Sequence, residues 1–263
     1  MQITALVLLI VFIAWLAYNW KNKNIEIPLT VEFRSLLNKE VQYYKNLIAA
    51  DKVIFEQRMQ QFLSGIKITG IGTTVEETDR VLIAASAIIP IFAFSNWQYN
   101  NLHEVLLYPQ SFNEQFKIDE GQDTPVIGMV GSGGMKQVMI LSKPALRAGF
   151  SNKTDKNNTG IHEFVHLIDM TDGEVDGLPQ NLLDKQYALP WLNLVHENIK
   201  EILADKSDIN LYGATNKAEF FAVVSEYFFK RPDLLQSKHP QLYQLLEQIF
   251  KQDPAGKASL SIS

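Results

Sequence analysis

The sequence predicts an α+β domain that is mainly helical and carries a small sheet beside the helix that contains His162. Three observations support this fold class. From residue 31 onward, apolar side chains recur mostly at helical spacing. Four short segments have strand patterns instead, at 66–71, 105–108, 126–130 and 137–142. An apolar run at residues 1–20 is long enough to form a separate helix before the domain.

The helical pattern begins between residues 31 and 64, where apolar side chains fall on two stripes and predict two packed helices. The next helix should begin at Thr73 or Thr74, ahead of two glutamates. The very apolar run 81–94 contains Pro90 and is too short to cross a bilayer, so we expect a buried helix. We expect the polar segment 151–160 to be a flexible loop that leads into the helix of His162.

The strand segments 126–130 and 137–142 bracket Gly131-Ser132-Gly133-Gly134. A phosphate-binding loop is excluded there, because the spacing fits neither G-x-G-x-x-G nor G-x-x-x-x-G-K-[ST]. We expect strand 126–130 to lie at the edge of the sheet, beside a cleft in which an extended peptide can add as a further strand.

Composition excludes several classes of function. The chain has 24 basic and 29 acidic residues and a formal charge of −5, which is too mild and too mixed to predict direct nucleic-acid binding. The absence of cysteine excludes disulfides, thiol nucleophiles and thiolate metal sites, so histidine and carboxylate are the strong transition-metal ligands that remain. A serine hydrolase is disfavoured because G-x-S-x-G is absent. His103, His196 and His239 have no partner at metal-ligand spacing.

The segment His162-Glu163-Phe164-Val165-His166 is the H-E-x-x-H signature of zinc hydrolases. Residues i and i+4 share one face of a helix, so both imidazoles can bind one tetrahedral Zn²⁺. Glu163 can take a proton from a metal-bound water. Binding to the metal lowers the pKa of that water from about 15.7 to about 7. A chance match on a solvated helix is the alternative, but the flanking residues are apolar and predict a buried helix. We therefore expect one Zn²⁺ per chain in a zincin-like metallopeptidase domain.

A zinc site needs a third protein ligand, and each downstream candidate is a carboxylate. Asp169 lies one turn beyond His166, usually too far to join the same metal, and would rather accept the free ring N–H of a ligating histidine. Asp172 has the spacing of the third metzincin ligand, but the glycine of that pattern is missing. Asp208 precedes Tyr212 by one residue more than the zincin pattern with an aspartate ligand requires.

Glu219 and Glu226 lie in the apolar stretch 218–229, where a buried carboxylate needs a partner. Seven residues make nearly two helical turns, so both carboxylates fall on one face. Periodicity alone does not separate these two candidates.

Several further segments carry a family resemblance. They are 102–109 (LHEVLLYP), 167–169 (LID), 176–179 (DGLP), 212–222 (YGATNKAEFFA), 225–229 (SEYFF) and 252–254 (QDP). Together with the H-E-x-x-H helix, they make residues 30–255 resemble the Mlc titration factor (MtfA) family of zinc metallopeptidases, whose catalytic domain is similar to that of anthrax lethal factor.

The resemblance implies roles for individual residues. His162, His166 and Glu219 would bind zinc, and Glu163 would be the general base. Glu226 would be a structural carboxylate, or one that holds a ligand by a hydrogen bond.

Tyr212 would support the transition state by the same resemblance. A phenol O–H is suited to this, since attack on a peptide carbonyl builds an oxyanion that one metal ion stabilises only in part. Without the resemblance, Tyr212 would be read as a loop tyrosine beside a turn glycine. The chain departs from the toxins at Val223, where they carry a second acidic residue four positions after the glutamate ligand. The outer contact of that acid is missing here or comes from another residue.

The apolar run at residues 1–20 carries no charge and has the length of a membrane span. A cleaved signal peptide is disfavoured, because no basic residue precedes the run and no A-x-A site follows it. A helix buried in the domain is the other alternative. We expect a transmembrane anchor at 1–20, a juxtamembrane linker at 21–30 and the zinc metallopeptidase domain at 31–263. Lys21 and Lys23 follow the run, so the catalytic domain should face the cytoplasm from a single-pass position in the bacterial inner membrane.

The expected function is hydrolysis of peptide bonds in a peptide or protein substrate. The resemblance implies aminopeptidase-like cleavage of short peptides. The alternative is a membrane-anchored regulatory protein that sequesters a transcriptional repressor, with zinc structural or vestigial, because the family is named for such titration. A closed site with four protein ligands would indicate a structural metal, whereas three ligands leave a position open for catalysis.

Overall fold

The computed structural model describes residues 29–111, 128–130 and 137–256. These residues form a mainly helical fold with a small mixed sheet, as the sequence predicts. The N-terminal helices are α1 (Val31–Glu40), α2 (Gln42–Asn46) and α3 (Ala49–Gly65). Three helices therefore replace the two expected between residues 31 and 64. The reason is Val41, a core residue whose extended backbone ends α1 and starts α2 in a new direction.

Helix α4 (Glu77–Ile91) is buried on nearly every side and forms the centre of the core. Its N-cap is Glu76, and not Thr73 or Thr74. The Glu76 side chain accepts the backbone N–H of Asp79, and the Asp79 side chain accepts the backbone N–H of Glu76. Pro90 lies in the last turn, where backbone carbonyls have no i+4 partner because the helix ends at Ile91. The Gln252 side chain compensates by donating to the carbonyls of Ile89 and Pro90 at 2.9 and 3.2 Å.

The sheet contains β1 (Lys67–Gly70), β2 (Glu104–Tyr108), β3 (Gly128–Val130) and β4 (Val138–Ser142). Its order is β1-β2-β4-β3, with β1, β2 and β4 parallel and β3 antiparallel to β4. Strand β3 therefore lies at the edge, as expected for segment 126–130.

The remaining helices are α5 (Lys143–Ser151), α6 (Thr159–Asp169), α7 (Lys185–Leu203), α8 (Lys217–Lys230), α9 (Pro232–Lys238) and α10 (Pro240–Phe250). Two 3₁₀ turns occupy Met170–Asp172 and Leu211–Ala214. Helix α6 carries the H-E-x-x-H segment and packs against α4, α8 and β3. Gly160 permits its close approach to α4, because a Cβ there would lie 2.1 Å from Ser86 Oγ. The sheet and α8 thus meet at the helix on which the site depends.

The polar loop between α5 and α6 is bonded to later parts of the chain, and its expected flexibility stays a prediction. Lys230 forms an ion pair with Asp155 and donates to the carbonyl of Asn157. Arg231 donates to the carbonyl of Thr154 at 3.0 Å. Lys156 pairs with Asp208 at 2.6 Å. These bonds hold the loop that leads into α6.

The predicted membrane location needs correction. The expected anchor at 1–20 and most of the expected linker at 21–30 lie outside the described residues. Within the described ranges, no helix combines the length and the apolar character needed to cross a bilayer. The most apolar of them, α4, has 15 residues and is packed in the core. We therefore withdraw the assignment to the bacterial inner membrane with a cytoplasmic catalytic domain.

Candidate metal centre

Helix α6 presents its polar residues from a buried position. Asn158 caps the helix, its side-chain oxygen accepting the N–H of Ile161 at 3.1 Å. His162 and Glu163 are only 8% and 5% exposed. Such groups need partners, because desolvating polar side chains without compensation is costly. The partners of His162 come from α8.

Three potential ligand atoms face one point. The Nε2 atoms of His162 and His166 lie 3.1 Å apart, and Glu219 Oε2 lies 3.0 Å from the first and 3.4 Å from the second. In the part of the chain that the structure describes, no other group of three such side chains gathers its ligand atoms within 4.8 Å. Among the downstream carboxylates that the sequence leaves open, Glu219 is the one at this point.

Glu226 lies on the opposite side of the same imidazole. Its Oε1 is 2.7 Å from His162 Nδ1, and its Oε2 accepts the backbone N–H of Asn158. The carboxylate thus connects the first histidine to the cap of α6. Val223, the position where the toxins carry an acid, instead packs beneath the turn at Gly213. The contact that the sequence leaves unassigned comes from Glu226, one turn further on.

The carboxylates determine the electrostatics of the trio. Burial opposes a charge on His162, but Glu226, Glu219 and Glu163 outweigh it and raise the pKa of His162 well above its ordinary value. Burial likewise opposes the charge on Glu219, and hydrogen bonds with the two histidines outweigh it and lower the pKa of Glu219 to about 2. A set of two imidazoles and one ionised carboxylate favours a cation between them.

Glu163 stands beside this point, against the edge strand β3. A Cβ atom at Gly128 would lie 2.3 Å from Glu163 Oε1, so the strand passes the carboxylate with no room for a side chain. Burial raises the pKa of Glu163, although the two histidines lower it in part. A carboxylate with a raised pKa can both accept and return a proton near neutral pH. Nothing in the sequence pattern indicates the role of Gly128.

Tyr212 lies in the second 3₁₀ turn, with its ring centroid 5.9 Å from that of His162. It is 53% exposed, so the ring borders the site from the solvent side. The side chain of Asn210 accepts the N–H of Tyr212 at 3.0 Å and holds the turn. Burial and the charge of Glu219 raise the pKa of Tyr212, so the phenol keeps its proton and can act as a donor.

Asp169 makes a contact other than the one expected. Its Oδ2 accepts the N–H of Gly177 at 2.8 Å, and the carbonyl of Gly177 accepts the indole N–H of Trp191 at 2.6 Å. Asp169 Oδ1 and His166 Nδ1 are both buried without a hydrogen-bond partner among the described residues. Burial raises the pKa of Asp169 to about 6.

The two carboxylates that the sequence disfavours as metal ligands form hydrogen bonds elsewhere in the protein. Asp172 accepts backbone N–H groups of Glu174 and Gln180 in the turn after α6. Asp208 joins a cluster of cations away from the trio, in which it accepts hydrogen bonds from His239 and Lys238 at 2.7 and 2.9 Å. The sequence gives His239 no partner, because 31 residues separate it from Asp208.

Comparisons with known proteins find a matching family model and several relatives. A family model described as glucose-regulated metallo-peptidase M90 matches residues 17–251. An uncharacterized protein from Synechocystis sp. is 28% identical over 251 residues, covering 91% of this chain and 90% of the relative. Mlc titration factor A from Salmonella choleraesuis is 28% identical over 258 residues, covering 92% and 89%. Mlc titration factor A from Salmonella arizonae is 28% identical over 238 residues, covering 84% and 88%.

Proposed function

Because the chain belongs to the glucose-regulated metallo-peptidase family M90, we propose that it hydrolyses peptide bonds with one Zn²⁺ held by His162, His166 and Glu219. The predicted resemblance to the Mlc titration factor family is confirmed by the same comparisons. The observation that carries the proposal is the trio of ligand atoms at 3.0, 3.1 and 3.4 Å from one another. Two ligands of a tetrahedral zinc ion, each about 2.1 Å from the metal, lie about 3.4 Å apart. The donor set therefore fits Zn²⁺ in both chemistry and spacing.

The metal and the side chains would have separate roles in the reaction. Zinc in this position would supply Lewis acidity toward the substrate carbonyl and toward water. Glu163 accepts the proton of the attacking water and passes it to the leaving amine. Its raised pKa suits both transfers, and its place against β3 keeps the carboxylate beside the trio. Glu226 holds the His162 ring so that Nε2 remains free for a ligand.

Tyr212 donates its phenol O–H to the oxyanion that forms at the substrate carbonyl. Two features support this role. The ring packs near His162 from the solvent side, where substrate must enter, and the raised pKa keeps the phenol protonated. The donor is on a short turn and not on a rigid helix, so substrate binding can complete its alignment.

Strand β3 supplies the surface along which a peptide binds. One side of β3 pairs with β4, and within the described ranges no strand pairs with its other side. An extended substrate adds to that free edge through main-chain hydrogen bonds, which brings its scissile carbonyl past Glu163. The further proposal of aminopeptidase-like action on short peptides rests on the family resemblance.

The test measures zinc content and peptide cleavage on the same purified samples of wild type, Glu163→Gln and Glu219→Ala. We expect about one zinc per chain in wild type and Glu163→Gln, and cleavage by wild type alone. Glu219→Ala should lose both zinc and cleavage. Full cleavage by zinc-loaded Glu163→Gln would exclude the proposed general base. Wild type with zinc and without cleavage of a broad peptide mixture would exclude the peptidase function.

The name of the relatives, Mlc titration factor A, favours a second candidate function, which is binding of a partner protein. The two functions respond differently to Glu163→Gln. That change abolishes proteolysis but keeps the shape and charge distribution of the rest of the surface. A pull-down with a candidate partner in which wild type and Glu163→Gln bind equally would support binding that needs no catalysis.

A further inference from the structure

A cavity lies at the N-terminal end of α6. It measures about 690 Å³ and is formed where α2 and the start of α3 face the end of α8 and the C-terminal residues 252–256. Its wall includes Asn158 and Ile161, the cap and first turn of α6. A molecule in this cavity would therefore contact the helix that carries His162 and His166. The proposed peptidase function makes no use of it.

The wall of this cavity combines apolar and aromatic side chains with polar and charged ones. Tyr43 and Phe229 pack edge to face, with their ring centroids 6.3 Å apart, and Leu47 and Phe150 extend the same lining. The Tyr43 hydroxyl donates to Gln252 Oε1 at 2.6 Å, which fixes the orientation of the ring. A cavity of this size, with an apolar side and polar groups around it, can hold a small molecule.

Among the acidic residues of this lining, Asp51 is the buried one. The residue is only 5% exposed and lines the cavity, yet within the described ranges its carboxylate forms no hydrogen bond and no ion pair. Its charge reaches the neighbouring phenol, because burial and then Asp51 raise the pKa of Tyr43. The residue is buried, but its carboxylate oxygens reach the cavity, where a bound cation can pair with them.

Lys153, Lys230 and Arg231 line the wall, but within the described ranges none of them pairs with Asp51; Lys153 is exposed and forms no ion pair there. Lys230 is engaged by Asp155, and Arg231 donates to the carbonyl of Thr154. Asp51 lies in the first turn of α3, where the helix dipole favours a negative charge. The dipole acts through partial charges and leaves the carboxylate oxygens without a donor.

We propose that this cavity binds a small organic amine, whose ammonium group pairs with Asp51 and whose aliphatic part packs against Tyr43, Leu47 and Phe229. An ammonium group can make two favourable interactions in this cavity. It forms an ion pair with the Asp51 carboxylate, and it is attracted to the faces of aromatic rings. The negative charge of Asp51 disfavours an anionic ligand, and a neutral ligand would leave that charge unpaired.

The test uses the full chain and four probes, n-butylamine, 1,5-diaminopentane, L-lysine and n-butanol. Calorimetric titration and the melting temperature report binding. We expect amines to bind and raise the melting temperature, whereas n-butanol, of the same length without the charge, should not. The order of the three amines separates simple amines, diamines and amino acids as ligands. Failure of every amine to bind wild type would overturn the proposal.

Asp51→Asn and Glu32→Gln form a matched pair of variants. Each removes a first-turn carboxylate, but Glu32 is exposed on α1 and is absent from the cavity wall. We expect Asp51→Asn to weaken amine binding at least about tenfold and to keep the melting temperature of the free protein, since it removes an unpaired buried charge. Glu32→Gln should bind like wild type.

Amine binding that persists in Asp51→Asn would place the amine elsewhere, for example at the metal centre, and would overturn the proposal. A destabilised Asp51→Asn without altered binding would do the same, because it would make Asp51 a structural residue of α3.

Discussion

The carboxylate of Glu226 lies 2.7 Å from Nδ1 of His162 and accepts its ring N–H. That bond fixes the tautomer of the imidazole, so the lone pair of Nε2 points toward the other two atoms of the trio. The second oxygen of Glu226 accepts the backbone N–H at the cap of the same helix. Glu226, a single side chain of α8, therefore fixes both the orientation of the His162 ring and the N-terminal end of helix α6.

We predict that Glu226→Ala lowers zinc affinity by about 10- to 100-fold, because a ligating ring without its hydrogen-bond partner loses orientation and basicity. Glu226→Gln should lose less, since one amide oxygen can still accept one of the two donors. Zinc affinity is measured by competition with a chromogenic chelator. Glu201→Gln, an exposed change on α7, is the control and should match wild type. Equal affinity in Glu226→Ala and wild type would refute the orienting role.

Tyr212→Phe removes one hydroxyl at the border of the site. We expect kcat to fall about 100- to 1000-fold, the usual cost of losing an oxyanion donor, with little change in KM or zinc content. Steady-state kinetics on one peptide substrate measures both parameters. A change confined to KM would instead make Tyr212 a binding residue.

Gly128→Ala should displace Glu163, because the added Cβ would lie 2.3 Å from Oε1 and 2.7 Å from Cγ of that side chain. We expect about 100-fold lower kcat with zinc retained, since Glu163 moves while the ligands stay. Overpacking should also cost about 1–3 kcal/mol of stability.

Gly65→Ala is the matched control for this change. A Cβ there meets nothing within 4 Å, so activity and stability should be kept. If Gly128→Ala retained wild-type kcat, the close approach of β3 to Glu163 would have no catalytic consequence.

Asp208→Asn should weaken the protein in a pH-dependent manner. Burial would raise the pKa of Asp208, but hydrogen bonds from Lys156, His239, Lys238 and Tyr227 outweigh it and lower the pKa well below its usual range. A lowered native pKa means that the stabilisation is present above the unfolded pKa of about 3.9 and is lost as pH falls below it. The melting temperature of Asp208→Asn should therefore lie below that of wild type at pH 7.

The gap between the two melting temperatures should narrow as pH falls below about 4. Melting curves between pH 3 and pH 7 test this. Asp205→Asn is the control, because it neutralises an exposed aspartate on the same loop. Asp205 has φ of 55°, a conformation that asparagine also tolerates. A constant gap across the pH range would show that the cluster stabilises by packing and not by charge.

Local patterns in the sequence predict the helices and strands because their causes are local. The i, i+4 spacing of His162 and His166 predicts one helix face, alternation predicts the first strand, and short apolar segments predict the other three. Boundaries were less predictable where a side chain competes with the pattern. Glu76 starts α4 because Asp79 completes a capping box, although Thr73 and Thr74 are also good caps.

The partners of the site residues could not be predicted, because they depend on how α6 and α8 dock. Glu219 and Glu226 share a helix face and both contact His162, one from each ring nitrogen. Periodicity therefore could not assign their different positions. Asp169 follows the histidines closely in sequence, yet accepts from Gly177 in the next turn. Gly128 gives no signal at all, since its effect is the absence of a side chain beside Glu163.

The distance in sequence between His162 and Glu219, 57 residues, has a consequence for the newly made chain. Ribosomes add about 5–20 residues per second, so the two histidines emerge seconds before the carboxylates of α8. Until then the nascent protein offers a metal only two neighbouring imidazoles. Acquisition of the ion should thus be among the last events of biogenesis, and a product terminated before α8 would leave the ribosome with the signature motif but without a cofactor site.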